Sequence, residues 1–345
     1  MSLRRRLPVL LIPTNDCSKN TRNIYSLPDA QVYEMKLPVP FKSRCIGSSH
    51  GWLIFIDRVS FVITLYNPFY FGNSKGIIHL PPFPPAEYTI EMTKKSYVCE
   101  FHADYYICKA VLSANPSSSN TYFVTLIHGE TRAIAYYKSG DVSWTYMYGV
   151  VNQSSFFDVI SHENYFLAAN LWGEVYICEV NSNNPKITCL TDPVVSPIGE
   201  LARRYLVDTG DGKTILQVVR LLTCSISDDG HPFTVTADFK IYKLEPMDGA
   251  LEWLPVRSIF DGALFLGDNE STFVKATDFP GIISNSIYFT DDYPSCMSMF
   301  HKPYQFNVPA DSGIFLIEDE ELHDHHIDRS KHKNLPPPVW ILPTI

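Results

Sequence analysis

Short apolar runs recur along the chain with polar turn residues between them. WLIFI (52–56), FVITLY (61–66), YYICKAVL (105–112), TYFVTLI (121–127) and EVYICEV (174–180) have strand length and are rich in β-branched and aromatic residues. ILQVVRLL (215–222), FTVTADFKIYKL (233–244), SIYFT (286–290) and IFLI (314–317) continue the series. The spacers are turn formers: Asp57-Arg58, residues 73–76, 138–141, 208–213 and 228–230, and Asp248-Gly249. The pattern predicts hairpins in series. A helical turn is predicted only near residues 198–206, and 25 prolines argue against long helices.

Strands at this spacing, with no helical pattern between them, imply antiparallel pairing in a sandwich, barrel or propeller. A sandwich seldom needs so many. At roughly 40 to 50 residues per four-stranded blade, a propeller of this length has about seven blades, or eight, or six where insertions are long. Neither a WD dipeptide nor a Kelch double glycine recurs at fixed spacing. Near the two ends, LPVLLIP (7–13) and PPVWILP (337–343) are short apolar runs fenced by prolines. They predict that the first strand, 8–12, and the last, 339–342, pair in one blade and close the ring, because an open ring leaves apolar edges exposed.

Composition narrows the classes. With 45% hydrophobic and 13% aromatic residues, including 20 Tyr and 21 Phe, the chain has the material for a large core and favours strands. A net charge of -9 argues against a broad cationic footprint, so no nucleic-acid partner is expected. Arg4, Arg5 and Arg6 precede an apolar stretch too short for a signal-peptide core or a bilayer span. No membrane partner is expected, and the location is expected to be cytoplasmic or nuclear, with organelle targeting as the alternative the basic start leaves. Eight scattered cysteines without a CxxC pair suit reduced, mostly buried thiols.

Several segments resemble the plant F-box-associated, KIB-type propeller family, long catalogued as a domain of unknown function, some members of which resemble Kelch-type F-box proteins that restrain a brassinosteroid-pathway kinase. The matching stretches are GSSHGWLIFID (47–57), LYNPF (65–69) with IIHLPP (77–82), YLVDTGDGKTILQVVR (205–220), FKIYKLEPMDGALEWLPVRSIFDGALFLG (239–267), DFPGIISNSIYFTDD (278–292) and PPPVWILPTI (336–345). The resemblance implies an all-β closed propeller over residues 1–345 that binds a protein partner as a substrate receptor of ubiquitin ligases. Only six residues, Met1 to Arg6, precede the first propeller-like strand. An F-box therefore has no residues to occupy, and docking to the Skp-type adaptor is not expected for this chain.

The matched residues have structural explanations. Gly47 and Gly51 suit positive φ at the start of a strand, and Trp52 suits a wedge between neighbouring sheets. Asn67 and Pro68 suit a turn leaving a strand, Asp291 and Asp292 a solvated turn, and Trp340 the closing strand.

Local signatures of catalysis are missing: no GxSxG elbow, no HExxH, no phosphate-cradling loop and no GxGxxG after a strand. SGDVSWT (139–145) resembles the Asp-box of sialidase-like propellers, yet Ser143 stands where that motif has glycine and the Thr-Trp order is reversed. In HDHHID, His323, His325, His326 and Asp328 have the side chains of a zinc site. They fall in a charged run, 318–335, expected to be an exposed loop, so neither metal nor cofactor is expected. The function expected is a non-catalytic interaction propeller. The alternative is a propeller hydrolase, a glycosidase or lactonase, using acids such as Asp228, Asp229, Asp291 and Asp292 around the central channel.

Overall fold

Alternation with period two decides how each strand is covered. In β1 (Val9–Ile12) every residue is buried, Val9 and Leu11 in one cluster and Leu10 and Ile12 in another. A strand apolar on both faces needs cover on both, so its sheet lies between two others. The computed structural model describes residues 8–12, 21–40, 43–70, 76–83, 106–129, 131–147, 155–194, 201–226, 232–291, 311–324 and 337–342, with the backbone alone for Pro232 and Phe233.

The first sheet joins β1 to β2 (Thr21–Ser26) and β3 (Gln31–Lys36). Three antiparallel meanders follow: β4 (Arg44–Ser49), β5 (Trp52–Ile56), β6 (Val62–Tyr66) and β7 (Ile77–Pro82); β8 (Ile107–Leu112), β9 (Phe123–His128), β10 (Ala133–Lys138) and β11 (Thr145–Met147); β12 (Phe156–His162), β13 (Tyr165–Asn170), β14 (Val175–Glu179) and β15 (Lys186–Cys189). A fifth comprises β16 (Leu201–Asp208), β17 (Ile215–Ile226), β18 (Pro232–Met247) and β19 (Ala250–Val256). The sixth contains β20 (Gly262–Leu266), β21 (Thr272–Lys275), β22 (Ser286–Phe289), β23 (Gly313–Leu316) and β24 (Glu321–His323), in the order β21-β20-β22-β23-β24. A single parallel bridge, Asp208 to Thr272, links the fifth and sixth. The last strand, β25 (Val339–Ile341), returns to the first sheet and pairs with β1, placing Val9 opposite Ile341, Leu10 opposite Trp340 and Leu11 opposite Val339.

Divided at that bridge, the nine-stranded sheet gives two blade-like units, so the five sheets of the described residues are followed here as six units. Each successive pair shares an apolar cluster. Trp52, Ile54, Ala110 and Val124 lie between the second and third blades, and Val111, Phe156 and Phe166 between the third and fourth. Leu167 and Leu206 lie between the fourth and fifth, and Val207, Leu216 and Leu264 between the fifth and sixth. Ile24, Leu53 and Phe55 join the first and second. The sixth returns to the first through Leu10, Trp340, Phe265 and Tyr288, where Phe265 and Tyr288 stack at 4.8 Å and Trp340 meets Phe265 edge-on at 5.1 Å.

The helical turn expected near 198–206 is strand from Leu201 onward. Leu206 faces one interblade cluster while Tyr205 and Val207 face the other, so burial on both sides overrides local propensity. The charged run 318–335 starts as a turn and the exposed edge strand β24, its register fixed by pairing with β23; residues 325–336 lie outside the described residues. Cys45, Cys108, Cys178, Cys189 and Cys224 are free thiols, with Cys189 and Cys224 exposed rather than buried. No helix among the described residues is long and apolar enough to cross a membrane.

His128 ends β9 among the rings of Phe83, Tyr146 and Tyr106, at 4.9, 5.4 and 5.8 Å. Neither ring nitrogen has a hydrogen-bond partner among the described residues, and burial lowers its pKa to about 4. The folded chain therefore resists a proton that the unfolded chain accepts near its ordinary value. Stability is full above about pH 6.5 and falls as pH drops toward about 4, by roughly 2 kcal/mol at about pH 5. Urea denaturation across that window should show the loss, and His128→Phe should flatten it. At the closing strand, Trp340→Ala should cost about 3–5 kcal/mol and deletion of residues 336–345 more. Thermal melting checks this; a deletion melting within about 2 °C of the parent would place closure elsewhere.

Candidate functional site

The inner strands β4, β8, β12 and β16 start at one mouth of the ring and run to the other, and what stands between them defines the axle. The connection from β20 to β21, residues 267–271, occupies that position. Gly267 lets it in: a Cβ there would sit 2.2 Å from Thr290 Oγ1. Asn269 then fixes the bend, its Nδ2 donating to the carbonyls of Phe265 and Glu270 at 3.2 and 2.7 Å.

Three polar side chains of this segment reach other blades. Asp268 accepts from Arg44 of β4 at 3.2 Å, and the same guanidinium donates to the Ile107 carbonyl at 3.0 Å. Glu270 accepts from Ser49 Oγ at 2.5 Å and from the Ser161 N–H at 2.9 Å, while its own N–H donates to the Ser48 carbonyl. Burial raises the Glu270 pKa; His50 and the Ser49 hydroxyl pull it down. Ser271 Oγ donates to Asp158 of β12 at 3.1 Å.

Asp158 is fully buried and forms an ion pair with Lys109 of β8. It also accepts from the N–H groups of Leu206 and Val159 at 2.7 and 2.9 Å. Burial pushes its carboxyl up, while the Lys109 ammonium and these donors pull the other way. A small cavity of about 30 Å³ adjoins this network, lined by Lys109, Arg132, Phe157, Asp158, Arg203, Arg204 and Asp268 among others. Burial raises the pKa of Cys108, at the same cavity, against the pull of Arg132 and Arg44. Arg220 binds Asp311 at 2.7 Å, Thr236 Oγ1 at 2.7 Å and the Thr290 carbonyl at 2.9 Å, so a second buried guanidinium ties the fifth blade to the sixth.

Of the residues singled out in the sequence, Gly47 lies on the inner strand β4 and the others take no part in this network; they are not brought together into one site. Gly51 has φ +75° in the tight turn between β4 and β5. Gly47 does not need positive φ; the reason for glycine is contact, since a Cβ would lie 2.1 Å from the Ala110 carbonyl oxygen. Trp52 is fully buried between two blades and donates to Asn115 Oδ1 at 2.9 Å. Asn67 Oδ1 accepts from the Phe69 N–H at 2.9 Å and shapes the turn through Pro68. Trp340 is buried in the closing strand, Asp291 follows β22, and Asp292 lies outside the described residues. Residues 139–145 form the β10–β11 hairpin, with Trp144 buried and donating to the Pro81 carbonyl. His323 pairs with the exposed Glu321; His325, His326, Asp328, Asp228 and Asp229 lie outside the described residues.

Residues 24–315 match the family described as KIB1-4 beta-propeller. The chain belongs to that family. Members and relatives differ widely in sequence. The chain is 26% identical to At5g55150 of Arabidopsis thaliana over 79% of its own length and 70% of that protein. It is 26% identical to the F-box protein At2g26160 of the same plant over 71% and 74%, and 24% identical to the F-box protein SKIP23 over 71% and 64%. Among solved structures, the β-propeller domain of Cps50 (Swd1) from Myceliophteria thermophila is 10% identical, covering 71% of this chain and 84% of that one, with a TM-score of 0.35.

The axial network is testable as a unit. Lys109→Met leaves Asp158 buried without its cation and should cost about 3–5 kcal/mol, whereas Lys109→Met combined with Asp158→Asn, which removes the charge and keeps an acceptor for the neighbouring donors, should recover part of that loss. A double-mutant cycle in urea checks the coupling; strictly additive effects would show that the two charges do not depend on each other.

Proposed function

We propose that this chain is a non-catalytic interaction propeller that holds a partner protein, in the manner of the recognition part of a plant F-box-type receptor. The observation that carries the reading is how the axle uses its acids. Asp158 is held by Lys109, Asp268 by Arg44, and Glu270 by Ser49 and the Ser161 N–H. A glycosidase or lactonase needs a carboxyl group free to meet a substrate, and a cavity sized for one, commonly about 300 Å³ or more. The cavity here has about a tenth of that volume. Relatives that are F-box proteins support the same reading.

Affinity capture from plant extract with mass spectrometry tests it. The full chain should retain a specific protein and show no turnover of glycoside or lactone substrates. Hydrolysis abolished by Glu270→Gln or Asp158→Asn, in variants that still fold, would favour the hydrolase.

A further inference from the structure

A bulky side chain at positive φ is strained, because its Cβ crowds the following carbonyl oxygen. Two phenylalanines among the described residues take that backbone, Phe61 at +57° and Phe260 at +56°. Phe61 packs against the apolar cluster of the second and third blades, which offsets the strain. Phe260 has no such compensation: it is 82% exposed, belongs to no apolar cluster and meets no other ring among the described residues.

The turn that carries it, between β19 and β20, is firmly built. Ile259 is buried in the seam of the fifth and sixth blades, and its carbonyl accepts from the Gly262 N–H at 3.0 Å. Asn285 Oδ1, just ahead of β22, accepts from the Ile259 N–H at 2.9 Å and from Ser258 Oγ at 3.2 Å. The Phe260 N–H donates to Ser258 Oγ at 3.1 Å, and the Asp261 carbonyl accepts from the Ala276 N–H at 2.8 Å. Through Asn285 the turn is tied to the loop ahead of β22, where Ile283 is 46% exposed. Arg257 and Asp261 in the turn, and Asp278 two residues past Ala276, are exposed and form no ion pair among the described residues. A single exposed apolar side chain is ordinary. One held in a strained conformation by a fixed turn, with nothing to pack on, lowers stability without serving the fold, and such outliers mark functional positions.

We propose, resting on the interaction reading above, that Phe260 is a knob that enters an apolar pocket of the partner protein, with Ile283 beside it at the pocket's edge. The form is that of an interface hot spot: an aromatic anchor at the centre, and charges of both signs, Arg257, Asp261 and Asp278, around it. Charge selects a protein over a membrane as the occupant. Two of these three charges are acidic, as is the chain as a whole at -9, and an anionic lipid surface repels them. A protein surface can carry matching charges of either sign.

Site-directed photocrosslinking tests the assignment. A benzophenone side chain replaces Phe260 in one full-length sample and the 92% exposed Val142, at the β10–β11 hairpin, in another. Irradiated in plant extract, the first should crosslink one protein and the second should not. That protein, purified, should bind the parent chain in calorimetry, about tenfold or more weaker with Phe260→Ala and equally well with Val142→Ala. Neither Phe260→Ala nor Phe260→Gly should lower the melting temperature, glycine because it relieves the left-handed backbone. Equal affinity of Phe260→Ala and parent, crosslinking alike at both positions, or a fall in melting temperature with either variant would overturn the proposal. Flotation of the parent with vesicles of phosphatidylcholine and phosphatidylserine, lost in Phe260→Ala, would overturn it in favour of a membrane. Self-association lost in the same variant would overturn it in favour of a second copy. If the parent retains a specific protein that does not crosslink at position 260, the interaction reading stands and this proposal falls; if it retains none, both fall.

Discussion

A carboxylate withdrawn from water organises the centre of this ring. Asp158 is fully buried in the fourth blade, yet its partners come from the third through Lys109, the fifth through the Leu206 N–H, and the sixth through Ser271. An isolated buried charge is far more costly than any one of these bonds is favourable, so the arrangement is stable only when all are in place together. The apolar seams between blades are more permissive, since many side chains of similar volume fill them comparably well. The charged centre supplies the selectivity that the seams lack.

Two levels of packing follow. Within the seams, period-two alternation sends successive side chains of one strand into different clusters, as Leu206 and Val207 show in β16. Toward the axis the sheets converge: Gly47 lies against the Ala110 backbone, and Gly267 against the Thr290 side chain. The acidic connection of the sixth blade fills the remaining space, with Arg44 and Ser49 binding it from the second blade. A centre occupied this way ties the second, fourth and sixth blades to one segment.

Much of the fold was legible in the sequence, and the centre was not. Runs such as Trp52–Ile56 and the first and last strands announced themselves because they are apolar on both faces. Strands β3 and β15 carry mostly exposed side chains, so their pattern resembles loop. The key ionic residues were in plain view but mute. Lys109 sits inside the apolar run ICKAVL and Arg220 ends ILQVVR, and a cation there is as easily a solvated face as a buried one. Only the pairing, Lys109 to Asp158 across 49 positions and Arg220 to Asp311 across 91, decides it, and such separations leave no local signal. The one usable hint was a charge flanked on both sides by residues of a fully apolar strand.

The ring is latched by its last described strand, which imposes an order on synthesis. The second through fifth blades are each built from consecutive segments and can assemble as the chain emerges from the ribosome. Strand β1 cannot be finished in that way. It is made before the other described strands and its neighbour β25 after them, and until β25 arrives one edge of β1 has no partner. The blade that holds β1 is therefore begun before the other blades and completed after them, and through that interval an apolar strand edge waits for its partner.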